Sequence, residues 1–128
     1  GHISGKDGIY AAALLVEMLA VTGKKLSALY REIEAQYGAL SYAEASFTMT
    51  PARKAELQRY LFEQLACPKF ENVDHISRED GCKVYFTDGS WVICRFSGTE
   101  PLLRMAAEAE TDEKAQSYIR SWRKFLEL

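Results

Sequence analysis

From Ile9 to Val21 the chain carries one charge, Glu17, in an otherwise apolar or small run. Wound as a helix, it puts Ile9, Ala12, Ala13, Val16, Leu19 and Ala20 on one side. Tyr10, Leu14, Leu15 and Met18 fall on the others. Such a helix needs protein on most of its faces. Asp7 stands where a cap with its carboxylate at the positive end of the dipole belongs, and Gly23 ends the run. The next pattern is different. Leu26, Leu29, Tyr30, Ile33 and Tyr37 recur at helical spacing as a single stripe, opposite Arg31, Glu32 and Gln36. Gly38 is the expected C-terminal stop.

After Gly38 the periodicity shortens. Leu40 to Met49, with Tyr42 and Phe47, reads as a strand. Thr50-Pro51 starts a helix, threonine as cap and proline in the first turn, and Leu57, Tyr60, Leu61 and Leu65 give it a buried stripe that ends before Pro68. Val73 to Ser77 is a short strand. Cys82 to Phe86 and Trp91 to Phe96 flank Thr87-Asp88-Gly89-Ser90, where Asp-Gly predicts a tight hairpin with both turn residues at positive φ. A further strand runs from Leu102 to about Ala109. Thr111 then caps a last helix with Asp112 and Glu113 in its first turn and a stripe of Ala115, Tyr118, Ile119, Trp122, Phe125 and Leu126. Strands in succession with helices to one side predict an α+β fold, a small antiparallel four-stranded sheet covered by two helices. The two earlier helices precede it, with the boundary at Gly38 to Ser41.

Composition narrows the function classes. At 128 residues, with 48% hydrophobic and 27% charged residues, the chain suits one domain, or one domain plus part of another. A net charge of −2 argues against a nucleic-acid surface, although local basic patches survive that argument. Cys67, Cys82 and Cys94 are odd in number and lack C-x-x-C spacing. They read as reduced core thiols of a cytoplasmic protein rather than a disulfide frame or zinc site. The run Ile9 to Val21 is too short to span a bilayer, and no signal peptide is seen. His75 has no partners at metal or catalytic spacing and reads as structural or exposed.

The chemistry concentrates at Arg95-Phe96-Ser97-Gly98-Thr99-Glu100-Pro101 and Arg104, a loop between two strands. Two guanidiniums offer planar forks of donors that match an oxyanion. Ser97 and Thr99 add hydroxyls, and Gly98 allows close backbone approach. Successive N–H groups in such a turn can form an anion-binding nest. The implied ligand is a phosphate. On the residues alone a second reading stays open: a polar hairpin loop whose arginines pair with surface carboxylates.

The longer string, Arg-x-Ser-Gly-Thr-Glu-Pro-x-x-Arg, resembles the phosphate-binding loop in the last domain of the α-D-phosphohexomutases, the phosphoglucomutase/phosphomannomutase family. Gly1-His2-Ile3, then Lys6-Asp7-Gly8-Ile9 and an Ala/Leu-rich helix, resembles the segment that follows the sugar-binding loop in that family's third domain. The resemblance implies that residues 1–38 end the third domain and form a linker. Residues 39–128 would be the C-terminal phosphate-binding domain, a TATA-binding-protein-like sheet under two helices. It implies a parent enzyme, an intramolecular phosphotransferase, that interconverts hexose 1-phosphate and 6-phosphate. The chemistry would run through a phosphoserine, with Mg2+ beside it and a sugar bisphosphate as intermediate and activator.

By the same resemblance Arg95, Ser97, Gly98, Thr99 and Arg104 bind the substrate phosphate that is not being transferred. No catalytic residue or metal ligand is assigned to this chain. It has no Thr-Ala-Ser-His-Asn-Pro-like serine loop, no Asp-Gly-Asp-Gly-Asp-Arg metal loop and no Gly-Glu-x-Ser-Gly sugar loop. Asp80-Gly81 and Asp88-Gly89 read as turns. Phe96 stands where many relatives have proline, which bears on loop stiffness. His2 falls near the active-site segment and is given no role. The expected partners are a phosphosugar, the N-terminal domains of the parent, and a second copy of the chain through residues 8–22. The chain alone is expected to be inactive. Glucose, mannose and glucosamine specificity are not separable without the sugar loop. The rival reading is a stand-alone anion- or phosphosugar-binding module without catalysis.

Overall fold

The computed structural model describes residues 5–128; His2 and the rest of Gly1-His2-Ile3 lie outside the described residues. The elements in order are α1 (Gly8–Thr22), α2 (Leu26–Tyr37), β1 (Ser41–Thr48), α3 (Pro51–Gln58), a π-helical turn (Arg59–Glu63), β2 (Val73–Ser77), β3 (Cys82–Phe86), β4 (Trp91–Phe96), β5 (Leu102–Ala109) and α4 (Asp112–Leu126). Contacts divide the chain into two compact units, Gly1–Ala39 and Leu40–Leu128.

The first unit is a helix pair. The Asp7 carboxylate accepts from the Tyr10 N–H at 2.9 Å, the cap expected at this end. Gly23, at φ 63°, closes α1 by donating to the Leu19 carbonyl at 2.9 Å, a left-handed cap that a side chain would strain. Lys24 pairs with Glu32 at 2.7 Å, fastening the connection to α2. No residue of α1 or α2 is buried. Ile9 is 86% exposed, and Leu14, Leu15, Val16 and Met18 are exposed as well.

The second unit is α+β, as its periodicities predict. The sheet has five strands rather than the four expected, in the order β1-β5-β4-β3-β2, every pair antiparallel. β2, the short strand read at Val73 to Ser77, forms one edge and pairs with β3 through a bulge between Val73 and His75. Its residues are exposed or half-buried without alternation. At the other edge β1 pairs with β5 over its whole length, from Ser41↔Ala109 to Thr48↔Leu102.

One sheet face is dry. Ala43, Cys82, Val84, Val92, Cys94, Leu103, Met105 and Ala107 point into a cluster with Leu57 and Leu61 below and Ala115, Ile119, Trp122 and Leu126 of α4 above. The period of two along β5 is clean: Leu103, Met105, Ala107 and Ala109 are buried, while Leu102, Arg104, Ala106 and Glu108 face the other side. Antiparallel sheets tolerate one solvated face, and here that face carries the polar chemistry.

Three connections hold the frame. The Thr50 and Thr111 hydroxyls cap α3 and α4 by accepting from the Arg53 and Lys114 N–H groups. The Arg78 guanidinium donates to the Leu61 and Leu65 carbonyls, at 2.5 and 2.8 Å, and so satisfies the end of the π-helical turn. The β3–β4 hairpin forms where Asp-Gly predicts it, but only Gly89 (φ 85°) has positive φ. Asp88 instead uses its carboxylate: it accepts from the Ser90 N–H at 2.9 Å and hydroxyl at 2.5 Å, and pairs with Lys114 of α4. The hydrogen bonds from Lys114 and then Ser90 hold that carboxyl well below the usual carboxylate range. All three cysteines are free; Cys82 and Cys94 are buried and Cys67 is half-buried. His75 is exposed, stacked on Tyr85 at 4.4 Å and paired with Asp74. Among the described residues no helix is long and apolar enough to cross a membrane.

Candidate functional site

Arg95 is the penultimate residue of β4 and Arg104 the third of β5, and they are register partners across the strand pair. Directly opposed residues in an antiparallel sheet point to the same face, so the two guanidiniums stand side by side on the open face. Both side chains are a little over two-fifths exposed. Ser46 of β1 is opposite Arg104, which extends the row across three strands. The buried positions before and after each arginine, Cys94, Leu103 and Met105, anchor the strands that carry them.

The turn between the arginines is closed at its base by the Ser97 N–H donating to the Leu102 carbonyl at 2.8 Å. Leu102 N–H donates to the Glu100 carbonyl at 2.8 Å, a tight bend around Pro101. Lys54 of α3 donates to the Ser97 carbonyl at 3.3 Å and lies over the Phe96 ring, so a third cation approaches the loop from the helix side. The N–H groups of Gly98, Thr99 and Glu100 have no hydrogen-bond partner among the described residues. No residue from Ser97 to Pro101 has positive φ, so an alternating left- and right-handed nest is not formed. The amides are instead presented by an open turn. Gly98 has free space around its Cα, which suits close approach of a ligand rather than a special dihedral. Ser97 is buried, and Thr99 is exposed beside it.

Each arginine also meets a carboxylate: Arg95 donates to Asp80 at 3.2 Å, and Arg104 to Glu100 at 2.6 Å. Exposed pairs of this kind are worth roughly 0–1 kcal/mol. Pairs this weak leave both guanidinium forks available to a stronger anion. Sequence reading treated Asp80-Gly81 as a turn only. Gly81 (φ 101°) sits so close to β4 that a Cβ there would lie 2.5 Å from the Cys94 carbonyl oxygen and 2.6 Å from Arg95 Cβ. Nothing local in the sequence marks that contact, because it depends on β3 and β4 being neighbours.

The comparisons bear on the family and the fold. The family model for the phosphoglucomutase/phosphomannomutase C-terminal domain matches residues 21–123, and the one for alpha/beta/alpha domain III matches residues 1–37. The chain belongs to the phosphoglucomutase/phosphomannomutase family. A phosphoglucomutase/phosphomannomutase of Thermococcus kodakarensis is 36% identical over 98% of the chain and 25% of its own length. A probable phosphoglucosamine mutase of Methanopyrus kandleri is 36% identical over 86% of the chain and 22% of its own. The chain thus spans about a quarter of the length of these curated relatives. The crystal structure of a phosphoglucomutase/phosphomannomutase family protein from Burkholderia thailandensis superposes with a TM-score of 0.59. It is 22% identical and covers 94% of this chain and 23% of that one, which shows the shared fold.

Proposed function

We propose that this chain is the C-terminal part of a hexose-phosphate mutase and that its loop clamps the substrate phosphate that is not being transferred. Residues 1–38 then end the third domain and residues 39–128 are the clamp. One observation carries the reading: two register-paired arginines flank a turn whose three successive amides, Gly98 to Glu100, have no hydrogen-bond partner among the described residues. Arg95 and Arg104 neutralise the phosphate, the amides and the Thr99 and Ser97 hydroxyls orient it, and Gly98 keeps the approach open.

Phosphoryl transfer depends mainly on positioning and charge stabilisation. A remote grip contributes by holding the sugar at the right angle and distance. It must accept both orientations of a bisphosphate, which is why it recognises phosphate rather than the ring. Phosphoserine and magnesium belong, on this reading, to parts of the full-length enzyme outside the chain, and no step through a metal is assigned to these residues. The family match favours this over a stand-alone binding module, because residues 1–37 match a different domain of the same enzyme.

The test is steady-state kinetics on the full-length enzyme. Charge-assisted hydrogen bonds contribute about 1.5–3 kcal/mol each. Arg95→Ala and Arg104→Ala should therefore each lower kcat/KM by roughly ten- to a hundredfold. Thr99→Val should cost less, and Arg95→Lys should not restore full activity because an ammonium lacks the planar fork. Both alanine variants within twofold of the parent would remove the loop from the site.

A further inference from the structure

Three thiols that the phosphate chemistry does not use lie on the dry side of the sheet. Cys82 opens β3 and Cys94 stands opposite it on β4, both fully buried. Cys67 comes from elsewhere, the stretch that follows the π-helical turn, and packs half-buried against the same core cluster. One connection brings it there. The Arg78 guanidinium, from the turn that leads into Cys82, donates at 2.8 Å to the carbonyl of Leu65, just before Cys67. Leu65 has φ 54°, a left-handed bend where the chain leaves the π-helical turn. The Cys67 and Cys82 thiols then hydrogen-bond to each other, with the Arg78 charge alongside.

This arrangement divides the thiols by reactivity. The mutual hydrogen bond pulls Cys82 below the ordinary thiol value and pushes Cys67 above it; burial opposes charge on both, and Arg78 favours it on both. The pair therefore gives up one proton and holds the other, with the charge shared along the hydrogen bond. Cys94 differs, because burial and then the neighbouring Cys82 push it up and keep it a thiol. Access divides them further. Cys82 and Cys94 are 0% exposed, so Cys67 is the sulfur of the three that solvent reaches. Among the described residues no group of three His, Cys, Asp or Glu side chains is disposed to hold a metal ion.

We propose that Cys67 and Cys82 form a modification site, a dithiol that hydrogen peroxide closes to a disulfide within the chain while Cys94 stays reduced. The Cys67 thiolate attacks the peroxide: an S–O bond forms, the O–O bond breaks, and the departing hydroxide takes up a proton as water. The Cys82 sulfur then attacks the Cys67 sulfur. The S–S bond forms, the S–O bond breaks, and the second hydroxide leaves as water with the Cys82 proton. Two thiols lose two electrons, and one peroxide becomes two waters. A dithiol reductant reopens the bond by exchange. The proposal is independent of the phosphate reading of Arg95 and Arg104.

Peptide mapping tests it, since trypsin separates the three thiols by cutting after Lys69, Arg78, Lys83 and Arg95. The reduced 128-residue chain is exposed to hydrogen peroxide at neutral pH, its remaining thiols are alkylated under denaturing conditions, and the peptides are weighed by mass spectrometry. The free Cys67 and Cys82 peptides should disappear together and reappear joined, in monomeric chain, while the Cys94 peptide is alkylated. A dithiol reductant should restore both. Cys67→Ser, a near-isosteric change at a half-buried position, should abolish the loss of Cys82 at the same dose, with its fold verified by circular dichroism. Five results would each overturn the proposal: a Cys82–Cys94 bridge, a bridge between two chains, Cys67 oxidised to an acid while Cys82 stays free, all thiols untouched, or Cys82 still lost in the Cys67→Ser chain.

Discussion

Gly81 decides where Arg95 can be. At φ 101° it occupies a region that side chains resist, and its missing Cβ is what allows β3 to start against the Arg95 backbone. Gly81→Ala should cost roughly 1–3 kcal/mol from backbone strain, and it should also move Arg95, because the overlap falls on its Cβ. Denaturant midpoints and phosphate affinity measured on one preparation check this. A variant with unchanged midpoint and unchanged affinity would show that the close approach does not position the arginine. At this scale the sequence was uneven. Arg95, Ser97, Gly98, Thr99 and Arg104 stand out as a compact string of chemistry. Gly81 and Asp80 do not, since each acquires its neighbour, Arg95, from β4. The backbone conformation of the loop was also illegible: a nest was anticipated, and an open turn is found.

At the scale of elements the clean periods were the readable ones. β3, β4, β5 and α4 alternate or stripe without interruption, and their limits fall where the pattern puts them. β2 is short, bulged and without a buried face, yet it forms at Val73 to Ser77, where the sequence places a short strand. The π-helical turn has no periodic signature and is fixed by Arg78 from a distant turn. Helix α1 carries its own consequence. Leu14, Leu15, Met18 and Val16 are exposed on it, and full burial of such side chains stabilises by about 1.5–3 kcal/mol each. Large apolar faces drive association, although binding entropy offsets part of the gain. The 128-residue chain should therefore self-associate through residues 8–22, while residues 40–128 alone should sediment as a monomer. Equal, monomeric sedimentation of the two at matched concentration would contradict it.

For the molecule as a whole, the fold is an α+β platform whose dry face is spent on stability and whose open face is free for a ligand. Helices α3 and α4, the Asp88–Lys114 pair and the threonine caps all serve the first face. The arginine row and the loop amides belong to the second. A net charge of −2 does not stand against the proposed clamp, because Arg95 and Arg104 are gathered on one face. The measurement that meets the central claim most directly is a titration of inorganic phosphate into the 128-residue chain, read at individual amides. The amides of Gly98, Thr99 and Glu100 should shift together with the Arg95 and Arg104 guanidinium signals, saturably and with one affinity. Arg104→Ala should weaken that affinity at least tenfold, by the loss of about 1.5 kcal/mol or more. Shifts that never saturate, or that appear elsewhere and leave Gly98 to Glu100 still, would show that the loop is only a polar turn with two surface ion pairs.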